Sequence, residues 1–273
     1  TSDGSTVTIP STGVGALAIN VTMADGAYGG HLAIGNGSTS TINWIPAQAA
    51  GNANPSQLVK ANNAIAKLDA PGTLTMTYAN DQSLGTIDVI VDVFGYYQAM
   101  VSSGGAVQPV NSTHLAYSPM PSKCRIADTR LSSPVSQQSM RTFSVAGAAC
   151  KDANMTTTIA TLPASGIGAV DLNMTVIGGS DTTLLTAGSV ALYSSDFNPA
   201  SGSLGTTNIN FSNYHMTLNG LANGAKTGVG ADGKIKLYMD SANSMTITRN
   251  IILDVSGYFS ATDPNGLVYV PMP

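Results

Sequence analysis

Asn250-Ile251-Ile252-Leu253-Asp254-Val255-Ser256-Gly257-Tyr258-Phe259 is an apolar, β-branched run with one acid inside it, closed by glycine and two aromatics. Such a composition reads as a buried strand, because β-branched and aromatic side chains suit a pleated surface and the run is too short for a core helix. An earlier copy stands at Asp88-Val89-Ile90-Val91-Asp92-Val93-Phe94-Gly95-Tyr96-Tyr97. Two copies of one strand predict a tandem repeat, and each copy then locates the boundaries of the other.

Further pairs follow in the same order. Gly13-Val14-Gly15-Ala16-Leu17-Ala18-Ile19-Asn20-Val21-Thr22 answers Gly166-Ile167-Gly168-Ala169-Val170-Asp171-Leu172-Asn173-Met174-Thr175. Leu17, Ile19, Val21 and Met23 alternate with small or polar residues, the period of a half-buried strand. Gly30–Ile34 answers Gly188–Leu192, Ile42-Asn43-Trp44 answers Ile209-Asn210-Phe211, and Gly72–Tyr78 answers Gly233–Met239. Turn signals such as Asp25-Gly26, Pro71-Gly72, Asn219-Gly220 and Asp232-Gly233 separate the runs. Short strands with frequent turns predict an all-β fold of two tandem β-sandwiches, immunoglobulin-like or jelly-roll-like. The expected units are 1–99 and 117–262, joined by a Ser/Gly-rich linker at 100–116, with a C-terminal segment at 263–273. Within Gln57–Ala70, Leu58, Ala61, Ile65 and Leu68 recur at helical spacing; in a sandwich the stretch is expected to be an irregular excursion between strands.

The 273 residues are enough for one large or two ordinary domains with cores of their own. Only 10% are charged, against about 25% in an average soluble domain. Mean hydropathy is +0.13, yet no apolar run approaches the roughly 18 residues that span a bilayer. A net charge of −4 without a basic stripe gives nucleic-acid binding little support. A first residue Thr1 without Met is expected either of a removed leader or of a sequence that lacks residues before it, and scarce Lys and Arg beside abundant Ser, Thr, Asn and Gly fit export, to the extracellular space or the cell surface. In such a compartment Cys124 and Cys150 read as one disulfide closing a local loop, worth about 3 kcal/mol by chain entropy; two buried free thiols are the other reading.

The two ends do not match. The first repeat has no counterpart of residues 122–150, while Leu267-Val268-Tyr269-Val270-Pro271-Met272-Pro273 copies Leu115-Ala116-Tyr117-Ser118-Pro119-Met120-Pro121, the opening of a repeat, and stops. A sandwich without its opening strands exposes unpaired backbone, which a strand from elsewhere can satisfy. Head-to-tail homopolymer assembly is one expectation, with Leu267–Pro273 as donor and Val7, Ile9, Leu17, Ile19 and Val21 around the acceptor. A fragment of a longer repeat protein is the other.

Cys124-Arg125-Ile126-Ala127-Asp128-Thr129-Arg130, Leu172-Asn173-Met174-Thr175 and Leu253–Phe259 together resemble a repeated β-domain of secreted and cell-surface bacterial proteins. That domain opens with a Cys-Arg-Leu-Leu-Asp-Thr-Arg-like motif, carries a Leu-Asn-Val-Thr strand and closes with Val-Asp-Val-x-Gly-Tyr-Phe. The first repeat shows the second and third motifs and departs from the pattern in lacking the first. The resemblance implies export and tandem surface arrays, and no activity for the domain itself.

Candidate chemistry is sparse. Asp128 between Arg125 and Arg130 reads as a structural ion-pair cluster, since guanidinium forks bind carboxylates bidentately. Asp92 and Asp254, each inside an apolar run, read as repeated structural acids paired with an Arg or capping amides. Trp44 and Phe211 share a repeat position and read as core. His31, His114 and His215 show no metal-ligand spacing, and no nucleophile elbow is present, so no cofactor and no enzyme activity are expected. Asn20, Asn36, Asn111, Asn154 and Asn173 lie in Asn-x-Ser/Thr triplets; Asn36 and Asn111, in turn and linker contexts, are the better glycosylation acceptors, and Asn20 and Asn173 read as hydrogen-bonding strand residues. The functional expectation is a structural subunit of an extracellular fibre or array, with a carbohydrate-binding or adhesive module, in contact with cell-surface glycan, as the alternative.

Overall fold

The structure, a computed structural model, describes residues 8–24, 28–35, 39–44, 59–70, 72–80, 85–99, 115–178, 187–197, 208–212, 220–241 and 247–271. Val7, Asn36, Asn111, Met272 and Pro273 lie outside these ranges, as does most of the 100–116 linker.

The fold is all-β, and among the described residues the one helical piece is a 3-10 turn at Thr129–Leu131. The strands are β1 (Val14–Ala24), β2 (Gly30–Ile34), β3 (Ile42–Trp44), β4 (Val59–Lys67), β5 (Met76–Asn80), β6 (Asp88–Ala99), β7 (Ala116–Asp128), β8 (Val135–Ser136), β9 (Ser139–Ser144), β10 (Ala149–Lys151), β11 (Thr158–Thr161), β12 (Ile167–Ile177), β13 (Ala187–Ser194), β14 (Ile209–Ser212), β15 (Leu221–Gly228), β16 (Lys234–Ser241), β17 (Thr248–Ser260) and β18 (Leu267–Pro271). One antiparallel sheet runs through both halves of the chain in the order β15-β12-β17-β7-β18-β6-β1-β4, with β8, β10 and β11 attached beside it. Two small sheets, β3-β2-β5 and β14-β13-β16-β9, complete the layers.

Alternation decides which faces meet. On β1, Ile19, Val21 and Met23 turn inward and pack with Leu32, Ile34, Ile42 and Trp44 of the first small sheet. On β12 and β17, Leu172, Met174, Ile251, Leu253 and Val255 pack with Val190, Phe211, Ile235 and Leu237 of the second. Trp44 and Phe211 are therefore core residues, as their shared position predicts. Each such side chain taken fully out of water contributes about 1.5–3 kcal/mol.

Matched residues occupy matched registers. Leu17 stands opposite Tyr96 as Val170 stands opposite Tyr258, and Asn20 opposite Asp92 as Asn173 opposite Asp254. The register shifts fall at matched places too, between Ala18 and Ile19 and between Asp171 and Leu172. Gly13 and Gly166 hold φ of 77° and 79° at the turns leading into β1 and β12, conformations that favour glycine.

The stretch within Gln57–Ala70 is corrected by the structure. Val59–Lys67 is strand β4, paired with β1 without a break from Ala16↔Lys67 to Ala24↔Val59. Its inward positions, Asn62, Ala64 and Ala66, face Val21, Ile19 and Leu17, so pairing and burial override the helical spacing of Ala61, Ile65 and Leu68, of which only Ile65 is buried.

Candidate assembly interface

The C-terminal strand has a built seat. β18 pairs with β6 in the register Leu267↔Ala99, Val268↔Gln98, Tyr269↔Tyr97, Val270↔Tyr96 and Pro271↔Gly95. β7 meets β17 in the same manner, with Tyr117↔Phe259, Ser118↔Tyr258 and Pro119↔Gly257. Glycines shape both seats. A Cβ on Gly95 would lie 2.5 Å from the Val270 carbonyl oxygen and 2.6 Å from the Tyr269 ring, and one on Gly257 would lie 2.5 Å from Tyr117 Cζ. Cβ atoms on Gly15 and Gly168 would each come 2.7 Å from a leucine Cδ1, of Leu267 and Leu115 respectively. Tyr269, Tyr97, Tyr117 and Phe259 then form a row of tilted rings with centroids 5.2, 4.9 and 5.0 Å apart, each contact adding about 0.5–1.5 kcal/mol beyond its buried area. The sequence reading does not single out these glycines and Tyr97 as residues of the β18 seat, although the matched Gly-Tyr-Tyr and Gly-Tyr-Phe endings mark them.

The acceptor residues are placed differently from expectation. β1 is hydrogen-bonded on both sides, by β4 and β6, so Ile19 and Val21 sit in a core and offer no edge. Ile9 and Leu17 do come together with Leu267, lining an open apolar cleft of about 630 Å³. The strand that receives the tail is β6.

Upstream of that seat β6 has no second neighbour among the described residues. The consequence shows at positions facing the core. Val89 and Val91, opposite Met23 and Val21, are 38% and 37% exposed, whereas Ile251 and Leu253 at the matched places are 0% exposed. Ile90 and Phe94 are 53% and 50% exposed. In the second half, Cys124–Asp128 of β7 covers the equivalent edge of β17.

That covering strand is fastened by charge and by sulfur. Arg125 Nε donates to Asp254 Oδ1 at 2.8 Å, and its Nη1 donates to Asp128 Oδ2 at 3.1 Å and to the Ala153 carbonyl at 2.6 Å. Arg130 Nη2 donates to Asp128 Oδ2 at 2.6 Å. Burial raises the Asp254 carboxyl, against the pull of Arg125. Burial also pushes on Asp128, but the hydrogen bonds and charges of Arg130 and Arg125 together hold it below its ordinary value. Arg125, Asp128 and Arg130 thus form one ion-pair cluster, and its Arg125–Asp254 pair ties β7 to β17. Cys124 and Cys150 form the expected disulfide between β7 and β10.

The two halves also meet away from the main sheet's centre. Asn62 of β4 donates to the Thr41 carbonyl at 2.6 Å and to Asn173 Oδ1 at 3.1 Å, and accepts from Gly224 N–H at 2.6 Å. Asn173 in turn donates to the Ser40 carbonyl at 2.9 Å. Gly224 is required there, because any side chain would strike the Asn63 backbone. Lys123 Nζ donates to Thr41 Oγ1 at 2.5 Å. Burial lowers this lysine to about 8, with Asp254 and Asp171 opposing. Asp171 is raised by burial despite Lys226 at 3.1 Å. Among the described residues no group of His, Cys, Asp or Glu is arranged to hold a metal ion, and no helix is long and apolar enough to cross a membrane. No protein-family model and no curated protein matches the chain.

Proposed function

We propose that this chain is an exported structural subunit of an extracellular fibre or surface array, whose units join head-to-tail by strand complementation. The observation that supports this reading is the seat of β18: the first half takes the neighbour of β6 from the far end of the sequence, through the short connection Ala261–Gly266. The same glycine-lined seat accepts the same strand from a neighbouring copy, and a donor and acceptor on different parts of the molecule propagate an open array. Matched registers in the two halves favour an internal duplication, which makes the β7–β17 joint the pattern for the β18–β6 joint. The disulfide suits an oxidising compartment, and the resemblance to repeated surface β-domains agrees with export.

Negative-stain electron microscopy with intact mass on the same sample tests the proposal. Filaments built from a chain of 27.7 kDa, lost when Leu267–Pro273 is deleted, are the expected result. Filaments unchanged by the deletion, or monomers at all concentrations, overturn it.

A further inference from the structure

The open stretch of β6 has a specific counterpart inside the same molecule. Asp254 stands opposite Asn173 on one side and opposite Arg125 of β7 on the other. Asp92 stands opposite Asn20 in the matching register, is exposed, and takes part in no ion pair among the described residues. The second half therefore shows what completes such an edge: an extended strand, collinear with the Tyr-x-Pro segment, that brings an arginine to the acid and apolar cover to the residues beside it.

We infer that Asp88–Phe94 is the seat of an arginine-bearing strand drawn from outside residues 1–273. Three observations carry this. Among the described residues the backbone edge is unpaired, Val89 and Val91 are exposed at positions where their counterparts are sealed, and Asp92 offers a carboxylate of complementary sign. A second copy of this chain is a poor source, because its four arginines are built into its own fold. Arg125 and Arg130 hold Asp128 and Asp254. Arg141 of β9 donates to the Ser133 carbonyl and Ser132, and Arg249 of β17 is buried over the Phe211 ring. Backbone pairing supplies affinity in such strand addition, and the side chains supply selectivity. The inference rests on the reading of β6 as a strand-receiving edge but does not require self-assembly.

The probe is the synthetic peptide Ser-Lys-Ser-Arg-Ile-Ala-Asp-Thr-Arg, which is residues 122–130 with Cys124→Ser, titrated into the full chain and followed by fluorescence anisotropy and amide hydrogen exchange. Saturable binding is expected, with new protection confined to 88–94. Asp92→Asn in the protein, or Arg125→Gln in the peptide, weakens it at least tenfold, and combining the two gives little further loss. No saturable binding, equal binding by a scrambled peptide, indifference to Asp92→Asn, or protection elsewhere overturns the inference. Asp92-dependent binding without filaments overturns the assembly proposal alone; filaments without peptide binding overturn this inference alone.

Discussion

Arg125 shows how much one side chain can carry when it is buried between acids. It is the shared partner of Asp254 and Asp128, which are both sealed from water. Replacing it with leucine leaves the buried Asp254 carboxylate without its ion-pair partner, a change that costs about 3–5 kcal/mol in buried pairs. Arg130 grips the same Asp128 from a half-exposed position, where ion pairs are worth about 1 kcal/mol or less. Denaturant midpoints should therefore fall far more for Arg125→Leu than for Arg130→Ala. Lys123 has the opposite character, a cation lowered to about 8 from 10.5 by burial. Between those values the unfolded chain holds a proton that the folded chain has shed. Stability accordingly rises with pH across that window, by about 3 kcal/mol for the full interval. Below pH 8 both states are protonated and the cost stays constant. Near pH 10 the trend reverses, because burial raises the Tyr97 and Tyr117 phenols while those of the unfolded chain ionise. Denaturant midpoints from pH 7 to 10 should show the rise in the native protein and none in Lys123→Met.

β18 stays on β6 because two glycines leave room for it, so the seat can be tested without touching the tail. Gly95→Ala places a methyl within 2.5 Å of the Val270 carbonyl oxygen, and since that contact is to backbone the strand itself must shift. Hydrogen exchange should show Leu267–Pro271 losing protection while β12 and β17 keep theirs; unchanged protection of β18 would mean that the seat tolerates the methyl. The tail was legible as a strand because Leu267–Pro273 copies Leu115–Pro121. Its partner was not legible, and the cause lies in β4. Val59–Lys67 carries Ala and Asn at its inward positions, so it lacks the apolar alternation that reveals a strand. The missing opening strands put the expected acceptor around Leu17, Ile19 and Val21, and with β4 unread nothing in the sequence places a strand on that side of β1. Once β4 is paired to β1, the free edge passes to β6, where exposed Val89, Ile90 and Val91 were hidden in the sequence by their likeness to the buried Ile251, Ile252 and Leu253. Periodicity tells which face of a strand is apolar, but not whether a neighbour covers it.

The main sheet is shared by the two larger cores, and the molecule's cooperativity depends on how those cores are coupled. Among the described residues the halves are joined by strand pairing at one place and by side-chain hydrogen bonds at another. β18 lies between β6 and β7, and Asn62 locks the far end of the sheet to β12 and β15. Asn62 satisfies Gly224 N–H, the Thr41 carbonyl and Asn173 Oδ1 at once, so Asn62→Ala strands buried polar groups at about 1–3 kcal/mol for each one left unsatisfied. None of those groups belongs to the larger core or to the disulfide. The loss should therefore fall on the coupling between halves rather than on both halves equally. In calorimetry the native chain is expected to melt in one transition, and Asn62→Ala in two. The upper transition belongs to the second half, whose loop is closed by Cys124–Cys150, and reduction of that disulfide should lower it while leaving the first half's transition in place. A single transition in Asn62→Ala, merely shifted down, would mean that the β6-β18-β7 junction alone is enough to make the halves fold as one.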